Sequence, residues 1–114
     1  MNKNLELLLR LEELVLLRLT QQRMGEANVE RTELDERIDQ ARRRLPGPIL
    51  SAFDQLARQY ANTVVPVVGQ TCQGCQQPVP GRLARLLNHS SQIFHCGHCG
   101  RFLIMPEHLP DYLA

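Results

Sequence analysis

Cys72-Gln73-Gly74-Cys75 and, twenty residues on, Cys96-Gly97-His98-Cys99-Gly100 hold all four cysteines of this 114-residue chain. The form C-x2-C-x20-C-x2-C reads as a four-thiolate zinc site. Zinc takes four sulfurs at tetrahedral corners, and each Cys-x-x-Cys turn offers two from one short loop. Cys72, Cys75, Cys96 and Cys99 are therefore the expected metal ligands, around one structural zinc ion. Gly74 and Gly97 lie inside the loops and Gly100 follows the second. Glycine there would permit positive φ and let amide N–H groups approach sulfur. Gln76 stands after the first pair, where glycine would be easier.

Four cysteines fill the tetrahedron, whereas a catalytic zinc keeps an open position. His95 and His98 lie close enough in sequence to compete, but four well-spaced thiolates make them unnecessary. His89 and His108 read as surface residues. The Ser90-Ser91 pair near His89 has no marked acidic partner, and no phosphate-binding glycine loop is present. The βαβ context of a thioredoxin-type Cys-x-x-Cys is also missing. The expectation is a protein that is not an enzyme and has no small-molecule substrate.

Outward from the cysteines, Val64-Val65-Pro66-Val67-Val68 is β-branched and reads as a strand, with Pro66 marking it as an edge or interrupted one. Gln92 to His95 and Arg101 to Met105 are strand-like on either side of the second loop. Arg82 to Leu87 fits a short helix or an irregular strand.

The first half of the chain is helical in composition. Residues 2–24 are rich in Leu, Glu, Arg and Gln, with Leu8, Leu11, Val15 and Leu19 as the best stripe and Leu5, Leu9 and Leu16 beside it. Apolar cover this wide needs more than one partner surface. It suggests a protein partner or self-association through this leucine-rich helix. Gly25 to Asn28 is a candidate break, so residues 2–45 make one helix or two. Over 29–45, Leu34, Ile38, Ala41 and Leu45 form the narrow 4-3-4 stripe of a coiled-coil seam. Thr32 to Asp35 resembles a capping box and would suit a helix restart. Arg42, Arg43 and Arg44 sit in the last turn, where cations complement the helix dipole. Pro46-Gly47-Pro48 ends this helix and starts another over 48–61, with Ile49, Leu50, Phe53, Leu56, Ala57 and Tyr60 on its apolar face. The short connection favours an antiparallel pair.

The expected architecture is small α+β. A helical, coiled-coil-like arm over 1–62 precedes a four-cysteine zinc ribbon of short antiparallel strands over 63–114. Residues 1–71 carry ten basic and ten acidic side chains, and the remainder carries Arg82, Arg85 and Arg101 against Glu107 and Asp111. That is not the strongly basic footprint of a dedicated nucleic-acid binder. Charges within the leucine-rich start argue against a signal peptide or membrane span, so the default is a cytoplasmic protein in a reducing compartment, where paired cysteines favour metal.

The run from Val64 through Cys72-Gln73-Gly74-Cys75, Val79-Pro80 and Cys96-Gly97-His98-Cys99-Gly100-Arg101-Phe102-Leu103 resembles the bacterial C4-type zinc-ribbon proteins with an N-terminal coiled coil. Leu45-Pro46-Gly47-Pro48-Ile49-Leu50 matches their approach helix. The resemblance covers residues 45–105 and implies the same zinc shell. It also implies a regulatory adaptor touching the transcription machinery or RNA. The arm of about 45 residues is much shorter than that family's usual hairpin. Arg82, Arg85 and Arg101, then Arg42, Arg43 and Arg44, are the candidates for contact with RNA or DNA backbone. The competing class is a protein–protein adaptor or oligomerising scaffold with no nucleic-acid contact. Glu33, Asp35, Glu36 and Asp39 would permit a polymerase-channel regulator, but a strand after the second loop argues against it.

Overall fold

A computed structural model describes residues 3–24, 28–89 and 92–108. The protein is small α+β, with four α-helices and a three-stranded sheet among these residues. By its contacts the chain divides into a helical unit, residues 6–61, and a second unit, residues 62–114 with the first five.

Three helices build the helical unit: α1 (Lys3–Met24), α2 (Asn28–Arg44) and α3 (Gly47–Ala57). The expected break at 25–27 lies outside the described residues. α2 begins at Asn28, so Thr32 to Asp35 lie within the helix and do not restart it. Arg18 pairs with Asp35 at 3.2 Å, while Leu7 and Arg10 share a groove with Ala41 and Arg44. Late α1 thus meets early α2, and the two helices run antiparallel. All four seam residues of α2, Leu34, Ile38, Ala41 and Leu45, are buried. Leu8, Leu9, Leu11 and Leu14 are buried on α1, and Phe53 on α3. The α1 stripe does not continue in the same way. Val15 is half-buried, and Leu16, Leu17 and Leu19 are exposed. Pro46 and Pro48 flank the turn into α3, where Pro is tolerated because the first helical N–H groups need no intrahelical acceptor. Arg42 donates from both terminal guanidinium nitrogens to Asp54, at 2.8 and 3.0 Å, and so ties the last turn of α2 to α3.

The second unit is built on β1 (Val64–Val68), which lies between β2 (Thr71–Cys72) and β3 (Phe102–Ile104). β1 is therefore central and not an edge strand. Pro66 is tolerated because pairing changes partner beside it. Residues 64–66 pair with β3, and Val67 and Val68 pair with β2. The missing proline N–H falls where one ladder gives way to the other. Only the β1–β2 pair is antiparallel. β1 and β3 run parallel, so the short antiparallel strands expected from sequence are found for β1 and β2 and not for β3. Parallel strands need a long crossover, and residues 73–101 supply it, carrying both cysteine loops and α4 (Gly81–His89). Residues 92–95 do not form a strand. They contribute a single bridge, His95 to Phe102, and a bond from Leu103 N to Phe94 O at 2.9 Å.

Val65, Val67, Val79, Leu87 and Leu103 form the core of this unit together with Cys72 and Cys96. Leu83 and Leu87 lie one helical turn apart, which settles 81–89 as a helix with one face on that core. Among the described residues, no helix is long and apolar enough to cross a membrane.

Candidate metal centre

The tight turn Gly69-Gln70 joins β1 to β2 with φ of 57° and 63° at its two central residues, the backbone form that suits a two-residue hairpin. Cys72 therefore leaves the sheet directly into the first cysteine loop. The loop is anchored by Gln73 N donating to Pro66 O at 3.0 Å, a carbonyl of the central strand.

The second loop repeats the first bond for bond. Gln76 N donates to Cys72 O at 2.8 Å, and Gly100 N to Cys96 O at 2.9 Å. Cys72 N donates to Gln77 O at 3.0 Å, and Cys96 N to Arg101 O at 2.9 Å. Gln76 and Gly100 occupy equivalent positions and share the left-handed conformation, at φ of 62° and 80°. The expected difference between the loops at Gln76 is thus one of residue type only. Neither Gly74 nor Gly97 has positive φ, so among these glycines only Gly100 is needed for that reason. Gly74 has another role. A Cβ there would run into the guanidinium of Arg101, which lies across the first loop from the second.

These turns bring the four sulfurs together. All four lie within 4.8 Å of one another. Cys72 Sγ is 3.9 Å from Cys99 Sγ, and Cys75 Sγ is 3.6 Å from Cys96 Sγ. The cysteines are free thiols, so each sulfur is available as a ligand. Cys72 and Cys96 are buried, while Cys75 and Cys99 are partly exposed. No histidine belongs to the cluster among the described residues. His95 Nδ1–H donates to Gly100 O at 2.8 Å and its ring packs on Phe102 at 4.6 Å, bracing the second loop from outside. His98 contributes its backbone N–H to Cys96 Sγ at 3.4 Å.

Electrostatics separate the thiols. Burial raises Cys72, and it pushes Cys99 up to about 12 with the neighbouring thiols of Cys96 and Cys72 adding to the rise. Burial acts in the same sense on Cys96, but N–H groups of Cys99 and His98 and thiols of Cys75 and Cys99 outweigh it and bring Cys96 to about 7. Cys96 is thus prepared to ionise while Cys72 and Cys99 resist. Four adjacent thiolates need a cation among them, and this donor set suits a metal ion that favours sulfur.

The arginines expected to touch nucleic acid are dispersed. Arg82 and Arg85 are exposed on one face of α4 beside the exposed Leu86. Arg101 is half-buried against Gly74. Arg42 is engaged by Asp54, whereas Arg43 and Arg44 are exposed. Sequence reasoning missed the bracing parts played by Arg101 and His95, because both depend on which loops meet in space.

No protein-family profile matches the sequence, and no curated protein is significantly similar to it. Solved structures with a similar fold include CT398 from Chlamydia trachomatis. It aligns with a TM-score of 0.58 and 23% identity over 68% of this chain and 34% of that one. They also include the HP0958 protein from Helicobacter pylori, with a TM-score of 0.64 and 17% identity over 77% of this chain and 38% of that one. The chain spans little more than a third of either length. At these identities the likeness is one of fold, and it joins this four-cysteine α+β chain to two larger bacterial proteins by architecture alone.

Proposed function

We propose that the chain is a non-enzymatic zinc-ribbon binding module of the C4 type, acting as a regulatory adaptor for a transcription- or RNA-related partner. The observation that carries this reading is the sulfur cluster. Zinc–thiolate bonds of about 2.3 Å put two tetrahedral corners about 3.8 Å apart, and the cross-loop separations are 3.6 and 3.9 Å. Cys72, Cys75, Cys96 and Cys99 would hold the ion, whose chemistry is to neutralise thiolates and fasten the two loops. A shell of four sulfurs leaves no ligand position for a substrate. Function then falls to the surfaces that the centre holds in place. Arg82 and Arg85 are the leading phosphate contacts, since they are exposed on one helix face. A cytoplasmic location agrees with reduced cysteines.

Metal analysis of purified protein tests the centre, with about one zinc per chain expected. A metal-free chain that stays folded with native stability would refute it. For the nucleic-acid half, Arg82→Gln with Arg85→Gln should weaken RNA binding and flatten its salt dependence. Binding that is unchanged at the same salt would remove that half.

The second reading is a protein–protein adaptor without nucleic-acid contact, and the exposed Leu16, Leu17 and Leu19 on α1 favour it. Affinity capture with and without nuclease separates the two. Partners lost after nuclease support RNA or DNA, and partners retained support the adaptor.

A further inference from the structure

The helical unit carries a groove of about 490 Å3, lined by Leu7 and Arg10 of α1 and by Arg37, Gln40, Ala41 and Arg44 of α2. Its volume lies within the roughly 300–1,000 Å3 range of small-molecule sites. Arg37 and Arg44 stand seven residues apart, so two helical turns place them on the same face. Arg10 reaches the same groove from the antiparallel helix.

None of these three arginines has an ion pair or hydrogen bond among the described residues. Their neighbours Arg18 and Arg42 are each held by an aspartate. None of the six lining residues is acidic. Three guanidinium groups gathered at one concavity repel one another unless an anion joins them. Guanidinium forks match phosphate oxygens two at a time, which makes arginine the usual partner of phosphate groups. The remaining lining suits an organic body. Leu7 and Ala41 are apolar, and the amide of Gln40 can both donate and accept.

We infer that this groove binds a small organic phosphate ester carrying several negative charges, of the nucleoside polyphosphate class. Arg10, Arg37 and Arg44 take the phosphates, Leu7 and Ala41 lie against the organic portion, and Gln40 meets a polar edge. Among the described residues no nucleophile or carboxylate lines the groove, so the molecule is assigned as a ligand and not as a substrate.

Isothermal titration of the zinc-loaded full chain with ATP, in buffer of about 0.1 M salt, tests this. Saturable one-to-one binding is expected, with inorganic pyrophosphate weaker. The combined variant R10Q, R37Q and R44Q should bind ATP at least about tenfold more weakly, since each loses a charge-assisted hydrogen bond. R58Q, at the exposed Arg58 that ends α3, should bind ATP as the unaltered chain does. The single variant R44Q, at an exposed position, carries the test if the combined variant fails to fold. No saturable ATP binding at millimolar concentration would overturn the inference, as would unchanged affinity in R44Q and in a folded combined variant. Pyrophosphate binding as tightly as ATP would overturn the organic-ester assignment. A short single-stranded RNA that binds the groove and is not displaced by ATP would overturn the small-ligand assignment.

Discussion

Gln76 and Gly100 make the same turn with different residues. A side chain in the left-handed region costs about 1 kcal/mol or more, and Gln76 recovers part of it by donating from Nε2 to Gln73 O at 3.2 Å. Gln76→Gly should therefore raise the stability of the metal-loaded protein by about 1 kcal/mol in urea unfolding, and Gly100→Ala should lower it by a similar amount. A loss of stability in Gln76→Gly would contradict the equivalence of the loops. The thiols carry a second prediction. Cys99 lies near 12 against an ordinary 9.0, so in the metal-free chain its contribution to stability is present below pH 9 and lost as pH rises toward 12. Cys96, lowered to about 7, has the opposite sense and contributes above pH 9, with the contribution lost as pH falls through 7. Zinc ligation, as proposed, would have to expel the protons that Cys72 and Cys99 retain. Apparent zinc affinity, measured by competition with a chromophoric chelator, should climb steadily from pH 7 to pH 9. A flat profile would show that these sulfurs are not the ligands.

Among the elements, α2 was the most legible from sequence. Its 4-3-4 spacing named Leu34, Ile38, Ala41 and Leu45, and all four are buried. Helix periodicity is local, so a stripe on one element identifies its inner face without knowledge of the partner. The β strands were less legible. Val64 to Val68 was readable as a strand, but its central position and parallel pairing with β3 depend on how residues 73–101 cross over. Pro66 pointed to an edge or an interrupted strand, and the interrupted one holds, since the ladder changes partner there. The ambiguity over residues 82–87 had a similar source, since only the core beneath Leu83 and Leu87 selects helix. Phe53 on α3 is almost fully buried, and Phe53→Ala should cost about 3 kcal/mol or more in urea unfolding. The Arg42–Asp54 pair is about one-third exposed, so Asp54→Asn should cost no more than about 1 kcal/mol at neutral pH. The hydrogen bond from Arg42 holds the Asp54 carboxyl below its ordinary 3.8. Its contribution is present above that value and lost as pH falls through the depressed one. The difference between Asp54→Asn and the unaltered chain should accordingly shrink in acid, followed by unfolding midpoints at pH 7 and pH 3.

At the scale of the molecule, the cluster of four sulfurs was readable from four residues, because the spacing of paired cysteines is a property of short loops. The arginine groove was not, because Arg10 and Arg37 come together only when α1 and α2 pair. Leu16, Leu17 and Leu19 leave α1 with an apolar surface that its own helical unit does not cover. If that surface mediates self-association or partner capture, Leu17→Glu at a position 46% exposed should abolish it while leaving the unfolding midpoint within about 0.5 kcal/mol. Light scattering and thermal unfolding of the same sample check both halves. The parallel pairing of β1 and β3 also sets an order of assembly. The β1–β2 hairpin and first cysteine loop join neighbours in sequence, whereas Val64 meets Phe102 only after the whole crossover has closed. Long-range closures of this kind are in general slow and entropically costly. An ion already captured by Cys72 and Cys75 would draw in Cys96 and Cys99 and shorten that search, so the metal would govern how fast the ribbon forms as well as how long it lasts.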